Sequence, residues 1–250
     1  MLCTFPSRYD AAVRAIDSKL FVVSAEIDPE VDDYRAAVPA IRNAKSIVFR
    51  KPVTMFIGEN GSGKSTLVEA IAIAAGFNPE GGSNNFQFET VRREVELDPL
   101  VRLMRAPRRP SDGYFLRAES FFNVATEIDR LGVTRGYGGH SLHEQSHGES
   151  FMALLLNRFL GDGLYVLDEP EAALSPMRQL SMLARIHDLV RSGSQFIIAT
   201  HSPILMAYPD ATLLLMDQTI REVAYEETEH YTVMRDFFNH RAAMLRELMA

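Results

Sequence analysis

The chain has little of what commits a protein to a membrane, to an oxidising compartment or to coating nucleic acid. Its 250 residues include one cysteine, Cys3, so no disulfide can form within the chain, and a reducing cytoplasm is the expected compartment. No apolar run approaches the roughly 20 residues of a membrane-spanning helix. The opening MLCTFPSRYDAAVR also lacks a signal peptide's apolar segment, so direct membrane insertion is not expected. A net charge of −7 argues against wholesale binding along nucleic acid while leaving room for a local basic patch. There is no internal repeat and no low-complexity tail. What is present is ordinary for a soluble domain with a sizeable core, at 46% hydrophobic and 24% charged residues. The length suits a single domain over 1–250, with a subdomain inserted at approximately 86–160.

The most informative stretch is VTMFIGENGSGKST, residues 53–66. Val53–Ile57 is a short apolar run of the kind that forms a buried strand. Gly58, Glu59, Asn60, Gly61, Ser62, Gly63, Lys64 and Ser65 fit G-x-x-x-x-G-K-[ST] at every fixed position, and Thr66 follows. Leu67–Ala75 then reads as a helix closed by Gly76. A triphosphate needs many donors close together, which backbone N–H groups supply where glycine lets the loop wrap inward, and the helix behind adds its positive end. Lys64 is expected to reach the β- and γ-phosphates of ATP and the Ser65 hydroxyl to ligate Mg²⁺.

Upstream, Leu20–Ile27 and Ser46–Phe49 read as strands. Tyr34 and Phe49 are the two rings there that could stack on a base, although packing or loop is the commoner role for each. Downstream, a polar glycine-rich loop covers 76–86. The stretch 91–110 follows, with Arg92, Arg93, Arg102, Arg105, Arg108 and Arg109. From 92 to 117, seven arginines face four acids. This can be a phosphate- or partner-contacting face. It can equally be a solvated surface paired with Glu94, Glu96, Asp98 and Asp112, and the lack of interleaved aromatics favours that second reading. Tyr114–Arg117 reads as a strand leading to Glu119 and Ser120, and Asn123–Leu131 as weakly helical. His140, His143 and His147 have spacings a metal could use, but they lie in polar sequence without cysteine or clustered carboxylates, so a metal site there is not expected.

Ser146-His147-Gly148-Glu149 is a capping box, S-x-x-E, before the helical run Ser150–Leu160. Such a capped helix start also suits an anion. Leu164–Leu167 reads as a buried strand ending in Asp168-Glu169-Pro170-Glu171. Adjacent acids at an apolar strand tip need partners. Mg²⁺ suits Asp168, by way of bound water, and Glu169 is placed to accept a proton from attacking water. Ala172–Pro176 connects to a helix over Met177–Arg191. Phe196–Thr200 is a further strand that delivers His201 to the edge where open α/β sheets bind ligands. Thr212–Met216 and Glu222–Tyr225 suggest a closing hairpin. Glu229–Met249 is an amphipathic helix whose Val233, Phe237, Met244 and Leu248 are expected to dock on the body or on a partner.

These parts, in this order, resemble the ABC-class ATPase domain over residues 47–203: phosphate loop, Glu119-Ser120, S-x-G-E, Leu-Asp-Glu-Pro, Ala-Leu-Ser and Ala-Thr-His-Ser. EGGSNNF, LRAESFF, EQSHGES and TEHY look most like small standalone bacterial ATPases of that class, and S-x-G-E looks more like its DNA-maintenance branch than its transporter branch. The resemblance implies an α/β P-loop NTPase fold of ABC type. Its central sheet would be mostly parallel, with an antiparallel N-terminal β region and a compact helical subdomain. It also implies Glu169, His201 and Lys64 as catalytic, Ser65, Asp168 and Glu119 at the metal, and Ser146, Gly148 and Glu149 against nucleotide held by a second copy. Leu174-Ser175 would touch that copy. ATP and Mg²⁺ are the implied ligands, and an ATP-dependent homodimer with an unknown protein partner the implied assembly.

Departures from the pattern are specific. Gln145 stands where leucine is usual, His147 where glycine is usual, and Glu119 where a glutamine normally senses the γ-phosphate. Only 26 residues separate Glu119 and Ser146, which is little room for a transporter coupling surface and none for a long coiled coil. The expected function is a soluble ATPase closing head-to-tail around two ATP molecules. The energy subunit of a transporter and an ATP-gated nucleic-acid clamp are the alternatives.

Overall fold

A computed structural model describes residues 19–31, 33–83, 99–118, 126 and 146–250. The β-branched and aromatic runs form the strands: β1 (Val22–Ile27), β2 (Ser46–Val48), β3 (Val53–Ile57), β4 (Gly82–Ser83), β5 (Val101–Arg105), β6 (Asp112–Arg117), β7 (Gly163–Asp168), β8 (Gln195–Ala199), β9 (Thr212–Met216) and β10 (Ile220–Val223). The helices are α1 (Pro39–Arg42), α2 (Lys64–Ala75), α3 (His147–Asn157), α4 (Pro176–Arg191), α5 (Pro203–Met206) and α6 (Glu229–Leu248), with 3-10 turns at Tyr34–Ala37, Pro170–Ala173 and Tyr225–Glu227.

Seven strands form the central sheet in the order β10-β9-β3-β8-β7-β6-β4. Its inner pairs are parallel, and β10 and β4 run antiparallel at the edges. A separate antiparallel sheet, β2-β1-β5, carries the N-terminal strands. Side chains alternate along β7. Leu164 and Val166 enter a core with α2 and the small sheet. Tyr165 and Leu167 enter another with α3 and α4. Burial on both faces is why these strands read as continuous apolar runs rather than alternating ones.

Two buried polar groups tie the layers together. Gln195, at the start of β8, accepts from Phe21 N and Val22 N at 2.9 Å each and donates to Val22 O at 2.8 Å, joining the small sheet to the large one. Asp112, at the start of β6, accepts from Arg158 Nη1 at 2.7 Å, Tyr165 Oη at 2.8 Å and Leu160 N at 3.1 Å. Burial acts to raise its pKa, but those three hydrogen bonds and the Arg158 charge outweigh it, and the carboxyl sits below its usual value. Tyr165 is pushed the other way, upward, by burial and by its bond to Asp112. Asp112→Ala would strand the Arg158 charge, and we expect a loss of about 3 kcal/mol in denaturant unfolding. A carboxyl lowered in the folded state stabilises fully above its unfolded pKa, about 4. The difference between wild type and variant should therefore shrink as the pH falls below that value.

In the described part of the arginine-rich stretch Arg102, Arg105, Arg108 and Arg109 are all exposed, and two of them also hold to the body. Arg105 donates to Ala74 O at 2.7 Å, and Arg108 donates to Lys19 O, pairs with Asp162 and lies 4.6 Å from the Phe21 ring centre. The expected pairing of this stretch with Asp112 is replaced by the Arg158 pair, because β6 delivers Asp112 inward rather than to the surface. Arg92 and Arg93 lie outside the described residues, as do His140, His143 and most of 119–145. Within 86–160, β5 and β6 are built into the two sheets.

Of the apolar positions expected to dock α6 on the body or on a partner, Phe237 and Met244 are half-buried and Val233 and Leu248 exposed. None of its residues is buried, Val233, Phe238 and Leu248 are exposed, and His240 breaks the helix with φ −129° and ψ 23°. The kink splits the stripe, and the first turn is anchored. Thr228 caps it, accepting from Tyr231 N, and the Tyr231 ring lies 4.8 Å from that of Tyr225.

Candidate functional site

Parallel strands end together, and here the ends carry the chemistry. Phe56 and Asp168 both pair with Ala199, so the exits of β3, β8 and β7 fall side by side. The Gly58–Lys64 loop, Thr200-His201 and Asp168-Glu169 therefore share one edge, where ligands bind in open α/β sheets. Thr200 N donates to Phe56 O, and Glu169 N to Ala199 O, which locks the three exits.

In the loop, Gly58, Gly61 and Gly63 have φ of 142°, 80° and 94°. Gly58 is required twice over, since a Cβ there would also stand 2.4 Å from Met216 O of β9. Gly63 caps α2, which begins at Lys64, three residues before the apolar pattern of the sequence suggests. Ser65 and Thr66 thus fall in the first turn, while Glu59 and Asn60 are exposed at the loop tip. Lys64 is buried, and its Nζ donates to Gly58 O at 3.0 Å and Glu59 O at 2.7 Å. Burial lowers its pKa, against the charges of Glu169, Asp168 and Glu171, which raise it.

Asp168 is buried at the strand tip, with Arg117 Nε of β6 3.9 Å from its Oδ2. Arg117 also pairs with Glu69 of α2 at 3.1 Å. The next residue, Glu169, adopts left-handed backbone at φ 48°, a conformation costly for a side chain with Cβ and concentrated at functional sites. It turns the carboxylate outward, 41% exposed, with Oε1 3.2 Å from His201 Nε2. Burial lowers the His201 pKa, Lys64 lowers it further, and Glu169 opposes both.

Glu171, which the sequence placed beside the acid pair without a role, holds this corner. Its Oε1 accepts from Thr200 Oγ1 at 2.8 Å, His201 N at 2.5 Å and Ser202 N at 3.0 Å. Burial raises its pKa against those bonds. Only the fold brings 171 to 200–202, so no spacing in the sequence could have shown it.

The Ser146 motif does start α3. Glu149 accepts from Ser146 N at 3.0 Å and Ser146 Oγ at 2.7 Å, and Arg178 of α4 lies 3.3 Å from its other oxygen. Hydrogen bonds from Ser146 chiefly hold the Glu149 carboxyl below its usual value. Gly148 is forced by close approach, since a Cβ there would stand 2.8 Å from Ala173 O and 2.4 Å from Arg178 Nη1. Ser146 and Glu149 are exposed, and their hydrogen bonds stay within α3 and to α4. Gln179 of α4 accepts from Ser202 Oγ and donates to Leu174 O, linking the connector to the His201 strand end. Glu119 lies outside the described residues. Phe49 is 2% exposed and belongs to the core, while Tyr34 is 85% exposed.

The donors suit Mg²⁺, which prefers hard oxygen ligands. The Ser65 hydroxyl and the buried Asp168 carboxylate are of that kind and lie at the ends of neighbouring elements. Among the described residues no group of three or more His, Cys, Asp or Glu forms a separate metal cluster.

Fold and edge together define the class. The fold is that of an α/β P-loop NTPase of the ABC ATPase type, and its sheet edge gathers the groups that ATP hydrolysis needs. Residues 38–120 match an AAA-domain family model. Residues 136–207 match a second AAA-domain model, whose description connects it with the AbiEii toxin of a type IV TA system. The chain is similar to the ABC transporter G family member STR2 of Medicago truncatula, at 26% identity over 171 residues, 60% of this chain. It spans only 24% of that protein's length. It is also 29% identical over 213 residues to the thiamine import ATP-binding protein ThiQ of Rhizobium meliloti, covering 74% of this chain and 83% of that one. Among solved structures, cbiO1 of Clostridium perfringens, part of the ABC transporter complex cbiONQ, superposes with a TM-score of 0.51 at 17% identity. That match covers 91% of this chain and 99% of cbiO1. No helix among the described residues is long and apolar enough to cross a membrane.

Proposed function

We propose that this chain is the ATP-hydrolysing subunit of an assembly in which two copies close head-to-tail around ATP and drive a partner protein. The convergence of the phosphate loop, Asp168-Glu169 and His201 on one sheet edge carries this reading. Backbone N–H groups of Gly58–Thr66 and the start of α2 hold the phosphates, and Lys64 neutralises the β- and γ-oxygens. Ser65 and Asp168 would hold Mg²⁺, with Glu119 the third expected group; when bound, the ion supplies charge neutralisation between the β- and γ-phosphates. Glu169 accepts the proton of the attacking water. His201, whose Nε2 lies 3.2 Å from Glu169 Oε1, offers its ring to the γ-phosphate. Ser146, Gly148 and Glu149 of the second copy cover the opposite side, with Ser146 Oγ released from Glu149 to donate to phosphate oxygen.

Tyr34 is the ring available for the adenine. Asp33 accepts from Arg35 N at 2.8 Å and fixes the turn. Val38, just beyond it, lies so close to Gly63 that a Cβ there would stand 2.5 Å from Val38 Cγ1. Tyr34→Ala should weaken ATP binding by about 1–3 kcal/mol, the usual size of a base–aromatic stack, in a calorimetric titration.

The partner is read from the relatives. ThiQ and cbiO1 both bear transporter names, which favours a membrane-transport partner over the DNA-maintenance likeness of the Ser146 motif and over a freestanding ATPase. ATP turnover measured with native membrane vesicles and with DNA or RNA tests this. Stimulation by vesicles supports a membrane partner. ATP-dependent, salt-sensitive binding to nucleic acid without vesicle stimulation would overturn it.

A further inference from the structure

A second histidine stands at the nucleotide edge, and no phosphate-loop or strand-end motif accounts for it. His230 belongs to the first turn of α6, and its ring centre lies 5.8 Å from that of His201, tilted by 48°. It is half-buried, and Lys64 is close enough for its charge to act on both histidines. The placement is braced from several sides. Thr228, 2% exposed, caps the turn by accepting from Tyr231 N at 3.2 Å and donates to Tyr225 O at 2.7 Å. The Tyr225 hydroxyl donates to Pro203 O at 3.0 Å, two residues beyond His201. The start of α6 is thus fastened to the segment that carries His201, while no residue of that helix is buried.

We propose that His230 is a positioning residue of the ATP site: its ring backs that of His201 and links α6 to the presence of the γ-phosphate. This rests on the reading of His201 as the γ-phosphate histidine. His201 Nε2 faces Glu169 Oε1 at 3.2 Å. A neighbouring ring at 5.8 Å limits the orientations the His201 ring can take towards phosphate. Movement of His201 is passed to His230 and hence to the first turn of α6, whose remaining length is left to report it outward.

An aromatic pair of this kind contributes enough to change kcat by about 2- to 10-fold. Steady-state kinetics should therefore show His230→Ala lowering kcat by about that factor, with the KM for ATP within roughly twofold of wild type. His230→Phe restores the ring wall and should recover most of the rate. In a Glu169→Gln background, ATP with Mg²⁺ should slow amide exchange over residues 229–232, and adding His230→Ala should abolish that protection. A wild-type kcat in His230→Ala would overturn the proposal. So would a loss that Phe does not rescue, or ATP protection of 229–232 that persists without His230. His201→Ala separates the two levels. If that variant turns over ATP normally, the underlying reading of His201 fails. If it is crippled while His230→Ala is normal, this inference alone fails.

Discussion

Glu169→Gln should bind ATP, fail to turn it over and accumulate as a two-copy complex. The expectation follows from where the residue stands. Its backbone is held in a left-handed conformation at φ 48° and its N–H is tied to Ala199 O, so the side chain is aimed outward whether it is Glu or Gln. Binding should therefore be spared, because the proposed phosphate holders are the loop and Lys64. What is lost is the proton acceptor, a contribution of about 10²- to 10⁴-fold in rate. With hydrolysis stopped, the ATP proposed to hold two copies together would not be consumed. The dimer should appear in size-exclusion chromatography with ATP and Mg²⁺ and be absent without ATP. Turnover near the wild-type rate would remove Glu169 from its role.

Lys64→Ala fails earlier, at binding. The lysine is buried between the loop and the acidic strand ends, and its ammonium caps two loop carbonyls, Gly58 O and Glu59 O. It can exchange these for phosphate oxygens, which carry charge the carbonyls lack. Charge-assisted hydrogen bonds contribute about 1.5–3 kcal/mol, so ATP affinity should fall by about 10- to 100-fold in equilibrium titration. Asp168 and Glu169 would then also face the phosphates without a cation from the loop, which moves the expectation to the upper end of that range. Unaltered affinity with a folded protein would mean that the loop binds through backbone alone.

Much of this edge is legible in the sequence because each piece is local. The glycine loop, the acids after an apolar strand and the histidine after another are each a strand end followed by its own chemistry. The parallel order that brings them together is the default for buried apolar strands separated by helices. Boundaries were harder. α2 begins at Lys64 rather than Leu67 because its first turn is polar and faces the phosphate site, so the apolar period starts a turn late. α3 ends at Asn157 rather than Leu160 because Phe159 leaves the helix to stack on Tyr165 at 4.3 Å. Contacts between distant segments left no trace. Glu171 reaches 200–202, Gln195 reaches 21–22 and His230 reaches 201, and in each case the fold alone makes the pair. For His230 a weak sign existed in the TEHY stretch, whose threonine is a helix cap that sets the histidine in the first turn. Which surface takes up the apolar face of α6 is not legible either, because an amphipathic pattern says that a face can be buried and not whether the body or a partner covers it.

The central claim is that a second copy completes the ATP site, and a cross-link tests it most directly. Asn60 at the loop tip and Ser146 at the start of α3 are both exposed, and the native chain has one cysteine, Cys3. In a Cys3→Ser, Glu169→Gln background, Asn60→Cys and Ser146→Cys should form an interchain disulfide under mild oxidation with ATP and Mg²⁺, and not without ATP. If ATP-saturated protein gives no cross-linked dimer, or gives the same amount without ATP, the second copy does not complete the site.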